Sequence, residues 1–378
     1  MAAVALHGGG EVLGVGMVSP IGLNGVSTAA AVRAGITRFR ETEHLTREEE
    51  PLVMSLVADE YLPPLAEPLQ DLELLSRHER MLKLAGLALR ECLSDLPWSE
   101  SLPLFLGLPE VLPGELVPAE PLPPFLDLLA VQSGRRWDKR SRLYAAGRAA
   151  GMVALQAALE LLGSGKVPCV IVGGVDSYLD EALLALLRDE NRLRAHGTYD
   201  GFIPGEGAAF LMLALAGTAR KLKREPLAKL DVASIGKEPG HRYSREVYRG
   251  EGLAATFRDL FESAPSPAMP VRTVYAGLTG EGLHSKEWGV AYLRHQECFS
   301  EAFQLVHPAD CLGDPGAALG PLMLGLAALG MRRGYRASTC LVWCSSDLES
   351  RGAALLSLPP PSRAAEARRQ GTLLTGGR

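Results

Sequence analysis

The side chains with chemistry to offer sit in a few glycine-rich stretches. YAAGRAAG (144–151) sets one cation, Arg148, among small residues just ahead of the apolar run MVALQAALELL. A helix start carries a partial positive charge, so a cation there needs an anionic neighbour or an anionic ligand. TGEGLHSKEWG holds Glu281 and His284, a pair that suits either acid–base work or a solvated helix cap. Cys311 lies three residues ahead of Asp314 in ADCLGDPGAALG, and is either a nucleophile or a small buried residue. No cysteine or histidine spacing fits a metal, and no phosphate loop occurs. GVGMVSPIG follows a strand without the dinucleotide-binding pattern. Neither metal nor cofactor is expected.

These residues lie between apolar elements. EVLGVGMV (11–18) is β-like, and a short helix follows near 27–34 with Ser27 as its cap. Residues 36–76 read as irregular, 77–96 as an amphipathic helix, and 103–108 as a strand. The proline-rich stretch 108–124 must be a loop, inert or partner-binding, with a short helix after it. KRSRLYAAG (139–147) leads to the helix behind Arg148. CVIVGGV (169–175) has no polar face, as in a strand covered on both sides.

The order then repeats. GRAAGMVALQAALELL, CVIVGGV and GAAFLML in the first part match GAALGPLMLGLAALGM, CLVWCSS and GAALLSL in the second. Each block is a small-residue helix start, an apolar helix, a buried strand and a returning strand. Two α/β halves are expected, 1–216 and 217–358, with their central helices in close contact and a disordered tail over 359–378.

With 378 residues, 47% hydrophobic, and a net charge of −5, the chain has length for two cores and no basic excess to attract nucleic acid. No apolar run reaches the ~18 residues of a membrane span. MAAVALHGGG lacks the basic-then-apolar pattern of a signal peptide. The six scattered cysteines read as reduced, buried thiols, so a cytoplasmic protein is expected.

Five of these stretches carry a resemblance. VLGVGMVSPIGLNG, MVALQAALELLGSGKVPCVIVGGVDS, DGFIPGEGAAFLML, VYAGLTGEGL and GDPGAALG occur in the order found in β-ketoacyl synthases, over roughly 11–358. The chain thus resembles these condensing enzymes of the thiolase superfamily. The resemblance implies an α/β thiolase fold of five layers, αβαβα, with two pseudo-duplicated halves each carrying a mixed five-stranded sheet. It also implies a dimer formed through the edge strand before Arg148, which would be KRSRLYAAG (139–147).

Such enzymes use a cysteine at the start of the central helix and two histidines. Counting back without gaps from Val172-Gly173-Gly174-Val175 puts the cysteine position at Arg148. The first histidine falls at Gly277 and the second at or beside Asp314, while SSDLESRG (345–352) replaces the supporting glycine–phenylalanine loop. An arginine is no nucleophile at neutral pH, and glycine donates no side-chain proton. The resemblance therefore implies no catalytic residue by the family mechanism. His196-Gly197-Thr198 mimics a family motif on the wrong segment.

Two expectations for Arg148 remain open. It pairs with an acid, Asp314 first and Glu281 second, and plugs the former pocket; or the pocket stays open and Arg148 binds a carboxylate or phosphate. The expected role is a scaffold, adaptor or partner subunit, as chain-length factors are. The chain would be a homodimer, or a heterodimer with a related subunit, and would meet an acyl carrier protein or assembly partner but neither nucleic acid nor membrane. The alternative is an unconventional acyltransferase or thioester hydrolase, acting on acyl carrier protein or acyl-CoA thioesters through relocated groups: Cys311, Glu281 or His284.

Overall fold

The computed structural model describes residues 3–94, 101–115, 124–265 and 268–359. The strands are β1 (Val4–Val18), β2 (Arg40–Leu45), β3 (Pro51–Met54), β4 (Leu104–Leu108), β5 (Arg142–Ala145), β6 (Cys169–Ser177), β7 (Glu206–Leu215), β8 (Ala228–Lys237), β9 (Val271–Ala276), β10 (Phe299–Val306), β11 (Cys340–Ser345) and β12 (Ser350–Ser357). The helices are α1 (Gly25–Ala34), α2 (Glu67–Gln70), α3 (Ser76–Cys92), α4 (Phe125–Ser133), α5 (Ala150–Gly163), α6 (Glu181–Asp189), α7 (Thr218–Lys221), α8 (Glu251–Ser263), α9 (Gly282–Arg294), α10 (Ala309–Leu312) and α11 (Leu319–Arg332).

Ten strands join in the order β10-β9-β11-β12-β8-β1-β7-β6-β4-β5, and β2 and β3 form a separate hairpin. The order is a palindrome about β8 and β1: β4 answers β9, β6 answers β11, and β7 answers β12. Within each lobe the repeat seen in the sequence supplies a helix (α5 or α11), a buried strand (β6 or β11) and an antiparallel return (β7 or β12). The two five-stranded sheets expected are thus lobes of one sheet. They join because β1 is long enough to pair β7 along one edge and β8 along the other.

Helices α5 and α11 lie between the lobes, and their apolar side chains share one core with both. Helices α3 and α4 cover the first lobe and α8 and α9 the second, which completes five layers. Close approach at the centre depends on missing side chains. A Cβ on Gly151 would fall 2.3 Å from the Pro321 ring, and one on Gly174 would fall 2.2 Å from the Ala317 carbonyl oxygen.

Several local expectations change. Asn24, not Ser27, caps α1: its side chain accepts from the Ser27 N–H, and Ser27 Oγ closes the capping box. Residues 36–76 are less irregular than their charge suggested, since they contain the β2–β3 hairpin and α2. Strand β5 is only Arg142–Ala145, and β10 was not anticipated. Of the proline-rich stretch, 109–115 is irregular and 116–123 lies outside the described residues, as does the tail beyond 359. No described helix is long and apolar enough to cross a membrane.

The contact at Gly174 makes a direct test. Its neighbour is backbone, which cannot swing aside. Gly174→Ala is expected to cost about 1–3 kcal/mol, read as a lower urea midpoint at unchanged slope.

Candidate functional site

Helix α5 is entered through a single tight turn, Gly147–Ala149, with Gly147 at φ +52°. The same turn, Gly316–Ala318 with Gly316 at φ +52°, precedes α11. Both turns point into the seam between the lobes. Arg148 is carried on the first, and its side chain is buried, with 1% of the residue exposed.

Asp314 stands just ahead of the second turn. Its backbone is fixed by bonds to Ile203 and Gly205, on the stretch that leads into β7. One carboxylate oxygen accepts from the Gly316 N–H at 2.9 Å, as a helix-start acid should. The other accepts from Arg148 Nε at 2.7 Å and from the Tyr178 hydroxyl at 3.0 Å, with Arg148 Nη2 at 2.5 Å. The pair spans the two lobes.

Around it lies a wider network. Arg148 Nη1 is 3.0 Å from Asp347, and Nη2 is 3.6 Å from Glu281. Arg192 donates to both oxygens of Glu281 at 2.9 Å and to both of Asp347 at 2.8 and 2.9 Å. Arg242 donates to Glu281 at 2.6 Å. Three guanidinium groups thus meet three carboxylates. The Phe202 ring lies against two of the cations, 5.1 Å from the Arg148 guanidinium carbon and 5.5 Å from that of Arg192.

Burial opposes charge on Arg148, but Asp314 and then Asp347 overcome it and hold the group protonated. Burial also opposes charge on Glu281 and Asp347. Arg192 is the larger influence holding Glu281 low, and Arg148 the larger one for Asp347.

Glu281 is therefore not the solvated cap that its position suggested. It occupies the cap position of α9 but makes no cap bond. Asp200 holds that end instead, accepting from the Gly282 N–H at 2.5 Å. His284 is fully buried, with Nδ1 3.3 Å from the Thr279 hydroxyl and Nε2 unpartnered. Burial and then Arg148 push its pKa down to about 3, so it stays neutral. Single ligand atoms of Glu281, His284 and Asp347 lie within 4.8 Å of one another. Both carboxylates are already engaged by Arg192, and three adjacent cations set the local field against a metal ion.

Cys311 is buried, and burial and then Asp310 raise its pKa, the reverse of what a thiolate nucleophile needs. All six cysteines are free. Gly277 packs on β11, where a Cβ would stand 2.8 Å from the Trp343 carbonyl oxygen. A space of about 20 Å³ remains beside Arg148, lined in part by Arg77, Glu110, Asp176 and Asp347, and it has room for one water.

The sequence reading missed Arg192, Arg242, Asp347, Tyr178 and Glu110. For Asp347 a signal existed. Aligning the repeat on Cys169 and Cys340 pairs Asp176 with Asp347. Asp176 reaches across to the opposite turn and accepts the Ala317 N–H at 3.0 Å. Asp347 makes the equivalent reach and meets the Arg148 side chain.

Residues 143–219, which include Arg148, match the family described as Beta-ketoacyl synthase, N-terminal domain. Solved ketosynthases superpose on nearly the whole chain. The ketosynthase from module 6 of the bacillaene synthase of Bacillus subtilis 168 aligns at TM-score 0.76 and 13% identity, covering 93% of this chain and 72% of its own. The fold is that of the ketosynthases. Two further matches to this ketosynthase fold come from assemblies. One is the ishigamide ketosynthase/chain length factor, at TM-score 0.72 and 16% identity, covering 93% of this chain and 99% of that one. The other is AntDE:AntF, a type II PKS acyl-carrier protein in complex with its ketosynthase, at 0.73 and 14%, with coverage of 93% and 99%. No curated protein matches the sequence significantly.

Removing the Arg148 guanidinium leaves Asp314 and Asp347 buried with too few partners. Arg148→Ala is expected to lose about 3–5 kcal/mol in urea unfolding. Millimolar ethylguanidinium, which fits the vacated position, should recover part of the loss. A variant as stable as the parent would show that the pair carries no weight.

Proposed function

We propose that this ketosynthase-fold chain is a non-catalytic subunit. Its former acyl cleft is filled by the Arg148 network, and it acts as a scaffold or as the partner of a related ketosynthase subunit. The observation that carries this reading is the contact of Arg148 with Asp314 across the lobes. The gap-free count gives the nucleophile position to Arg148, and the family resemblance puts the first histidine at Gly277 and the second at or beside Asp314. Here Arg148 and Asp314 form an ion pair that can neither attack a thioester nor shelter an enolate.

An open anion site is less well supported. A carboxylate or phosphate approaching Arg148 would meet Asp314, Asp347 and Glu281 already in place. The space left beside Arg148, about 20 Å³, has room for one water but not for an acyl chain.

Pairing with another subunit is supported by β5. It bonds to β4 on one side, and among the described residues its outer edge has no strand partner. A copy of this chain or a related subunit would complete that edge. Two of the structural matches are a ketosynthase/chain length factor and an acyl-carrier protein in complex with its ketosynthase. Both precedents suit a partner-subunit role. Free cysteines throughout suit a reducing, cytoplasmic compartment.

Incubation with acyl-CoA and acyl-carrier thioesters, followed by intact-mass spectrometry, tests the catalytic half. The expected result is no acyl adduct and no thioester hydrolysis above the buffer rate. Acylation of any residue, or turnover abolished by Cys311→Ala, would overturn the reading. Sedimentation analysis should show a dimer, and a proline at Leu143 should dissociate it.

A further inference from the structure

The chain has only two asparagines, and one of them, Asn24, is followed by a glycine. Asn-Gly is a dipeptide open to self-modification. The glycine nitrogen can attack the asparagine side-chain carbonyl, because no glycine side chain obstructs the approach. The new N–Cγ bond closes a succinimide ring, the Cγ–Nδ2 bond breaks, and ammonia leaves with the proton that the backbone nitrogen gives up. Water then opens the ring. Attack at Cγ yields aspartate. Attack at the backbone carbonyl yields isoaspartate, with an extra carbon in the main chain.

Asn24 is exposed, so water has access to it. What stands against the reaction is geometry. The backbone of Asn24 is extended, with φ −155° and ψ 167°. Ring closure needs ψ turned until the Gly25 nitrogen eclipses the Asn24 Cβ, which at this φ is a sparsely allowed conformation. The side chain is tied down as well. Its Oδ1 accepts the Ser27 N–H at 2.8 Å, and Ser27 Oγ accepts the Asn24 N–H at 3.3 Å. These two bonds belong to the cap of α1.

A further restraint comes from a different element. Glu91, on α3, presents its carboxylate to the Gly25 N–H, with the two oxygens at 2.8 and 2.9 Å. One of these oxygens also accepts the Met17 N–H at 2.9 Å. The Gly25 N–H is thus aimed at α3, not at Asn24 Cγ. The ionised carboxylate also opposes a second negative charge on the nitrogen that must lose its proton. Burial disfavours that ionised form, and the Met17 and Gly25 N–H donors favour it. The glycine itself answers to packing: a Cβ on Gly25 would stand 3.2 Å from Leu329, on α11, and 3.3 Å from Met17.

We propose that Asn24–Gly25 is a latent self-modification site, held off in the folded chain by the grip of Glu91 on the Gly25 nitrogen. The succinimide closes only when the start of α1 comes away from α3. Aspartate at position 24 would still cap α1, since Asp and Asn cap about equally well. Isoaspartate would not. Its extra main-chain carbon displaces the side-chain oxygen from the Ser27 N–H, and α1 could not seat again as before. This inference does not depend on the proposed function.

The tryptic peptide 1–33 suits the test, because Asn24 is its only amide side chain. The full chain is incubated at mildly alkaline pH, with and without unfolding urea, and conversion of Asn24 to aspartate and isoaspartate is followed by mass spectrometry. The folded parent should convert roughly a hundredfold more slowly than the unfolded chain. Glu91→Ala, shown by circular dichroism to be folded, should convert about tenfold faster than the folded parent. Equal rates in the folded and unfolded parent, or a folded Glu91→Ala no faster than the parent, would overturn the proposal. Should the variant not fold, the parent decides. Below its unfolding transition, added urea should raise conversion in step with hydrogen exchange at the Gly25 amide. Conversion that stays flat while that amide opens refutes the hold.

Discussion

A guanidinium with 1% of its residue exposed constrains much of what surrounds it. Taking one ion out of water costs several kcal/mol even after the protein relaxes, so Arg148 must bring carboxylates in with it. Two carboxylates within 3.0 Å, and a third at 3.6 Å, exceed one cation and call for more arginines. Arg192 and Arg242 meet that need. Phe202, lying against two of the cations, removes water without adding charge. A network of this kind is weak evidence for extra stability, since apolar packing of equal volume does as well. What it enforces is arrangement. Its members come from six separate stretches of chain, and a shift in any one leaves a buried charge unpaired.

The duplicated architecture explains why the network sits where it does. Two tight turns with the same glycine geometry bring the starts of α5 and α11 face to face. Two aspartates, Asp176 and Asp347, reach across the pseudo-symmetric seam to the opposite turn. On one side the aspartate finds a backbone N–H, that of Ala317. On the other it finds the Arg148 side chain. Symmetry in the backbone thus becomes asymmetry in charge through one residue. The DGFIPGEGA turn serves the same seam: Asp200 caps α9, Phe202 covers the cations, and Glu206 holds Arg80 at 2.5 Å.

Much of the fold was readable because it is written locally. Apolar runs with no polar face, such as CVIVGGV, can only be buried strands. A glycine followed by small residues and then an apolar helix, occurring twice, gives the duplication. The site was readable only in part. Arg148 stood out because a cation at a helix start is misplaced, and Asp314 because an acid at one is well placed. Arg192 and Arg242 look like ordinary surface arginines in polar stretches, and only tertiary contact makes them partners. Glu281 misled for a related reason. Its position is that of a cap, but Asp200, from a different segment, does the capping and frees Glu281 for Arg192. Strand β10 escaped because its mixed, partly exposed pattern is that of an edge.

What the seam can still do follows from how its groups are spent. A nucleophile needs a lowered pKa and access. Cys344, deep in β11, has neither, because burial and then the charge on Asp314 raise its thiol. A general base needs a group that changes protonation near neutrality. His284 does not, since burial and the Arg148 charge keep it neutral at any ordinary pH. The carboxylates that could have served are pinned by arginines. Glu110, beside the network, has no guanidinium or ammonium within 4.0 Å among the described residues; burial and then Asp347 push its carboxyl up, while the Asp347 and Leu348 N–H groups and Arg148 pull it back.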